Sequence, residues 1–165
     1  MTTLLRSTHA GVLGCQEPRI LHLPDGATSS AGEEAIELAA LAGLELDPWQ
    51  QLIVRHGLSE RPDGKWAAFE VAAVVPRQNG KGGILEAIEL AALFLFGCEL
   101  IVHTAHRFDT SSEHFMRLSQ RIEETPELSR RVKRNGIRRS HGEESITLKT
   151  GQRIRFATRA KGGRR

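Results

Sequence analysis

The chain of 165 residues contains no tyrosine, and aromatic residues make up only 5% of it. Its basic C-terminal end carries a single aromatic residue, Phe156, which argues against a platform on which nucleic-acid bases stack. The two cysteines, Cys15 and Cys98, stand far apart without metal-ligand spacing. Neither a disulfide framework nor a zinc cluster fits them, and the expected compartment is a reduced cytosol. The longest apolar stretch, around 87–98, is too short to span a bilayer and holds Glu89. A basic-then-apolar signal pattern is missing from the N-terminus. His103 and His106 flank a strand end with no cysteine and no His-Glu-x-x-His helix beside them, so both are expected at the surface and no metal site is expected. No Ser-His-Asp or Cys-His arrangement stands out.

What is present is the composition of an ordinary globular domain, 39% apolar and 26% charged. A chain of this size hides about two-thirds of its unfolded surface, enough for a real core. The formal net charge of +3 conceals an asymmetry. Residues 117–165 carry 15 Lys/Arg against 5 Asp/Glu, and residues 1–116 carry 8 against 15. A basic end of this kind is a footprint for a polyanion or a solvated face.

Along the chain, residues 1–30 alternate short apolar pairs with Pro18, Pro24, Gly26 and Ser29-Ser30, and read as an extended leader. Ser30 is placed to cap a helix over 31–42 with an acidic first turn. A second helix starts at Asp47, with Pro48 in its first position. SERPDG at 59–64 is a turn, and 65–75 reads as a buried parallel strand. An apolar helix over 82–96 follows, with Glu86 and Glu89 marking its wetter side, and then a strand from Leu100 to Thr104. This βαβ spacing argues for a parallel sheet with a right-handed crossover. Thr110 to Glu113 is a capping box for a helix to about Thr125, and a short helix over 127–133 comes next. ESITLK and QRIRFAT flank Thr150-Gly151 as a hairpin.

One place joins local structure to phosphate chemistry. Residues 71–83, VAAVVPRQNGKGG, run from an apolar β-type stretch through a tight Pro/Asn/Gly turn around a lysine into the apolar helix. Backbone N–H groups converge at such a helix N-terminus, the helix dipole favours an anion there, and Lys81 can reach terminal phosphates. The general pattern G-x-x-x-x-G-K-[ST] is met imperfectly, since Val75 stands at its first glycine and Gly82 at its hydroxyl.

PRQNGK at 76–81, DPWQ at 47–50 and VHTA at 102–105 together resemble the large terminase subunit of tailed bacteriophages, in its N-terminal ATPase half, over roughly residues 44–165. That family carries a deviant loop of the form x-R-Q-x-G-K. The resemblance implies an α/β P-loop NTPase fold, RecA-like in its parallel-sheet core, with an N-terminal helical region and a C-terminal β-hairpin. It implies ATP and Mg²⁺ as cofactors, the ligands of the metal lying largely outside this chain, with Pro76, Arg77, Gln78, Asn79, Gly80, Lys81, Gly82 and Gly83 forming the phosphate loop. Lys81 and Arg77 would be the catalytic pair, the lysine on the β/γ-phosphates and the arginine on the γ-phosphate. Gln50 would meet the adenine edge, and Thr104 would lie beside the nucleotide at a strand end. Trp49 is expected to pack.

The resemblance further implies a motor that hydrolyses ATP to package DNA into proheads. Its partners would be double-stranded DNA, the portal, the small terminase subunit and the rest of the large subunit, with no membrane, in the host cytoplasm. After Lys81 no acidic residue ends a hydrophobic strand, and the segment 159–165 matches one that lies shortly before the acidic Walker B strand in terminases. Residues 31–165 are therefore expected to be the N-terminal part of an incomplete ATPase domain, with little turnover alone. The alternative is a non-catalytic nucleic-acid-binding or assembly module that uses residues 117–165.

Overall fold

A computed structural model describes residues 15–140 and 142–158 of the chain. In order, the elements are β1 (Ser29–Ser30), α1 (Gly32–Leu41), α2 (Pro48–Gly57), β2 (Ser59–Glu60), α3 (Lys81–Phe94), β3 (Leu100–Ala105), α4 (Phe108–Glu124), α5 (Pro126–Ser129), β4 (Val132–Arg138), β5 (Ser145–Leu148) and β6 (Arg153–Thr158). The leader expected over 1–30 falls partly outside the described residues, as does all of 159–165.

Helix α3 is the axis of the molecule. Its sequence, KGGILEAIELAALF, is apolar nearly all round, and a helix of that kind must be covered on more than one side. One side, with Ile84, Ala87 and Ala91, packs against Ala35 and Ala39 of α1 and Val54 of α2. Another, with Leu90, Leu93 and Phe94, meets Phe115, Leu118 and Ile122 of α4 and Ile146, Ile154 and Phe156 of the sheet. Gly32 lets α1 and α2 touch, because a Cβ there would stand 2.5 Å from the Cα of Arg55. Trp49 packs against the α1–α2–α3 cluster.

The larger sheet has strand order β3-β6-β5-β4. β3 pairs with β6 in parallel, Leu100 opposite Arg153 through Ala105 opposite Thr158. The β5–β6 and β4–β5 pairs are antiparallel. The expected hairpin is present and its second strand is the neighbour of β3, so the sheet is mixed rather than parallel throughout. β4 was not expected. The register shifts between Val132 and Ile137, Asn135 takes φ 56°, and Gly136 lies so close that a Cβ would be 2.5 Å from the carbonyl of Thr147. That bulge breaks the alternation by which a strand is recognised.

Further expectations are corrected. The segment 65–75 is not a strand. Among the described residues its nearest sheet-like contacts are the Glu60–Trp66 bridge and the bond from Ala67 N–H to the Ser59 carbonyl. A strand needs a ladder partner whatever its composition, and here Phe69 and Val74 stand fully exposed. Helix α4 begins two residues before Thr110, with Arg107 as its N-cap, so Thr110 lies inside it. Ala31 rather than Ser30 is the N-cap of α1, while the Ser30 hydroxyl accepts from Gly32 N–H and donates to the Arg55 carbonyl. Glu86 and Glu89 are buried, at 2% and 7% exposure, because α3 has no wet side there.

Candidate functional site

The turn before α3 is curled by two left-handed residues, Gln78 at φ 62° and Gly80 at φ 74°. Glycine adopts that conformation without strain; a glutamine does so at a cost of about 1–2 kcal/mol. Gly80 is the N-cap of α3, and its carbonyl accepts from Gly83 N–H at 3.0 Å. The same carbonyl accepts from Gln50 Nε2 at 2.7 Å. The other end of that buried amide, Oε1, accepts from Asp47 N–H at 2.7 Å, closing the capping box of α2. Lys81 Nζ folds back over the turn and donates to the carbonyls of Val75 at 2.9 Å and Pro76 at 2.7 Å. An ammonium has three hydrogens, so one remains for a ligand.

A cleft of about 690 Å³ opens at this helix N-terminus, where the first N–H groups of a helix ordinarily lack intrahelical acceptors, that of Gly83 being taken by the Gly80 carbonyl. Gln50, Gln78, Asn79, Gly80, Lys81, Gly82, Gly83 and Thr104 all line it. Pro76 and Arg77 do not. Pro76 supplies a carbonyl to Lys81, and Arg77 is an exposed turn residue. A smaller hollow of about 340 Å³ against β4 is lined by Glu123, Lys133, Asn135 and Arg139 among others, and by none of the expected site residues.

The floor of the cleft holds ion pairs on a buried carboxylate that the sequence reading did not foresee. Glu86 lines it, with Oε1 accepting from Arg117 Nε at 2.8 Å and Oε2 from Arg121 Nε at 2.9 Å. Arg121 also donates to the Gly43 carbonyl at 2.7 Å, tying α4 to the end of α1. One turn further along α3, Glu89 bridges two histidines, with Oε1 2.7 Å from His103 Nδ1 and Oε2 2.7 Å from His114 Nε2. His103 is thus buried in a β3–α3–α4 clasp, not at the surface. Burial pushes the Glu89 carboxyl up, but the hydrogen bonds from His103 and His114 outweigh it and hold the group below the ordinary carboxylate value. The signal for these partners lay in α3 itself, since two carboxylates on a helix apolar all round require buried counter-groups.

Donor atoms of Glu89, His103 and His114 lie within 4.8 Å of one another. Their geometry is that of a hydrogen-bonded clamp. The imidazoles stack at 4.0 Å with 14° between planes, and each presents one ring nitrogen to its own oxygen of the same carboxylate. The Mg²⁺ implied by the resemblance also fits poorly at the loop. A P-loop holds it through a hydroxyl after the lysine, and Gly82 has none, while both oxygens of Glu86 are taken by guanidinium groups. The loop itself, with Lys81 and a left-handed glycine at a helix N-terminus, suits a polyphosphate.

No protein-family model matches the chain, and no curated protein is similar to it. The crystal structure of the HK97 bacteriophage large terminase is similar to it with a TM-score of 0.63 and 20% sequence identity, over 82% of this chain. This chain spans 29% of the length of that one. The likeness shows the fold, a mixed α/β arrangement shared with part of a phage large terminase. No helix among the described residues is long and apolar enough to cross a membrane.

Proposed function

We propose that this chain is the nucleotide-binding part of a terminase-type DNA-packaging ATPase. The observation that carries the proposal is the convergence, in one cleft, of Lys81, the left-handed Gly80 and the N-terminus of α3. ATP would lie with its phosphates against the turn 78–83, and Lys81 would exchange a loop carbonyl for a phosphate oxygen. Thr104, at the carboxyl end of β3, lines the same cleft, where an α/β sheet ordinarily meets its ligand. Gln50 would act mainly by holding the loop, its amide being engaged at both ends. Arg77, exposed in the free protein, would reach the γ-phosphate by a movement of the turn.

Within a complete motor, hydrolysis at this cleft would drive double-stranded DNA into a prohead with the portal and the small terminase subunit. The reading as a nucleic-acid module draws less support, because several cations of its basic segment are already engaged. Arg121 holds Glu86, Arg139 holds Glu123, and Arg131 lies over the Phe94 ring at 5.2 Å.

Titration of ATP into the purified chain, followed by tryptophan fluorescence, tests the proposal. Saturable binding is expected, weakened about tenfold or more, some 1.4 kcal/mol, by Lys81→Ala. Absence of saturation, or equal affinity in the variant, would refute it.

A further inference from the structure

Glycine at position 82 leaves a space that another side chain uses. A Cβ built on Gly82 would stand 3.0 Å from Nη2 of Arg117 and 3.8 Å from Oε1 of Glu86. Gly82 lies in the first turn of α3, beside Lys81, where a P-loop ordinarily carries the hydroxyl that holds a divalent cation. The place of that hydroxyl and its metal is therefore bordered by a guanidinium.

The guanidinium is held there by its partners. Arg117 Nε is fixed on Glu86 at 2.8 Å, and Glu86 is locked from its other oxygen by Arg121. Arg117 Nη2 also approaches His114 Nδ1 at 3.4 Å. Two arginines share one buried carboxylate, so this trio carries a net positive charge, while Glu45, Asp47 and Glu113 line other parts of the same cleft. The Arg117 side chain is half exposed, and it lines the cleft together with Lys81 and Gly82. A planar guanidinium offers a fork of N–H donors that matches phosphate oxygens, and it cannot lose its charge.

We propose that Arg117, admitted by Gly82 and aimed by Glu86, is a phosphate-binding residue that takes the electrostatic place of the metal, so that this cleft binds a nucleoside triphosphate without needing Mg²⁺. The inference rests on the cleft being a nucleotide site, and adds to it a second cationic contact and a departure from metal dependence. Lys81 and Arg117 approach the phosphates from two elements, α3 and α4. The hydroxyl by which a P-loop holds a divalent cation is missing at Gly82, and both oxygens of the neighbouring Glu86 are taken by guanidinium groups.

The test is isothermal titration of ATP into the full chain, with Mg²⁺ and with EDTA, for the wild type, Lys81→Ala, Arg117→Gln and Gly82→Ser. The wild type is expected to bind within about threefold under the two conditions, and Arg117→Gln about tenfold more weakly in EDTA. Gly82→Ser leaves the Glu86–Arg121 pair in place while pushing the guanidinium aside. It is expected to weaken metal-free binding and to make Mg²⁺ beneficial, so it answers the question even if Arg117→Gln fails to fold. Wild-type binding lost in EDTA would overturn the inference. So would unchanged metal-free affinity in Arg117→Gln or, where that variant is unfolded, in Gly82→Ser, alongside a loss in Lys81→Ala, an outcome that leaves the nucleotide site standing. Equal binding by Lys81→Ala and the wild type would instead remove the nucleotide site, and this inference with it.

Discussion

Gln50 Nε2 donates to the carbonyl of Gly80 at 2.7 Å across 30 residues of sequence. The bond joins the start of α2 to the residue that opens α3, and the loop takes its shape from it. Gln50→Glu keeps an oxygen for Asp47 N–H and loses the donor to Gly80, leaving a carboxylate against a carbonyl. The expected cost is about 1–3 kcal/mol of stability, read by chemical denaturation, with faster amide exchange over 80–83 and unchanged exchange in the rest of α2.

Gly80 carries φ 74°, and a Cβ there would stand 2.9 Å from Gln50 Nε2. Gly80→Ala must both strain the backbone and displace the amide that holds the loop. A loss of about 1–2 kcal/mol is expected by thermal melting, together with weaker ATP binding. Gly26→Ala is a useful comparison: it shares the left-handed backbone, at φ 76°, with nothing within 4 Å of the added Cβ, and should leave ATP binding unchanged.

Glu89 makes stability depend on pH in a definite direction. Its folded value is depressed below 4.5, so its contribution is fully present above the ordinary carboxylate value and is lost as pH falls through the folded one. Denaturation at a series of pH values should show wild-type stability falling below about pH 4.5, and Glu89→Gln losing less over the same interval. A steeper loss in Glu89→Gln would reverse the assigned sign.

Leu90 is fully buried between α3, α4 and the sheet. Leu90→Ala should cost about 2–5 kcal/mol in denaturant midpoint at constant slope. A much smaller value would mean that the two halves of the core are not joined through α3.

The parts legible in the sequence are those whose causes are local. Asp47-Pro48 with Gln50 three residues on encodes its own helix start, and the alternation in ITL and RIRF marks β5 and β6. The apolar run at 65–75 misled because β-type composition is the same whether or not a neighbour offers a ladder, and pairing is a non-local fact. Glu86 and Glu89 misled for a related reason. A charge on a helix reads as a wet face, yet their partners Arg117, Arg121, His103 and His114 come from β3 and α4, 14 to 35 residues away. The turn before α3 was legible as a turn, but the arginine beside Gly82 was not, since only the packing of α4 against α3 brings it there.

Hydrogen–deuterium exchange of the full chain, with and without saturating ATP, tests the proposed nucleotide cleft most directly. Slowed exchange at the amides of residues 78–83, abolished in Lys81→Ala, is the expected result. Unchanged exchange over 78–83, or protection found only in the β5–β6 hairpin, would contradict a polyphosphate seated on this turn.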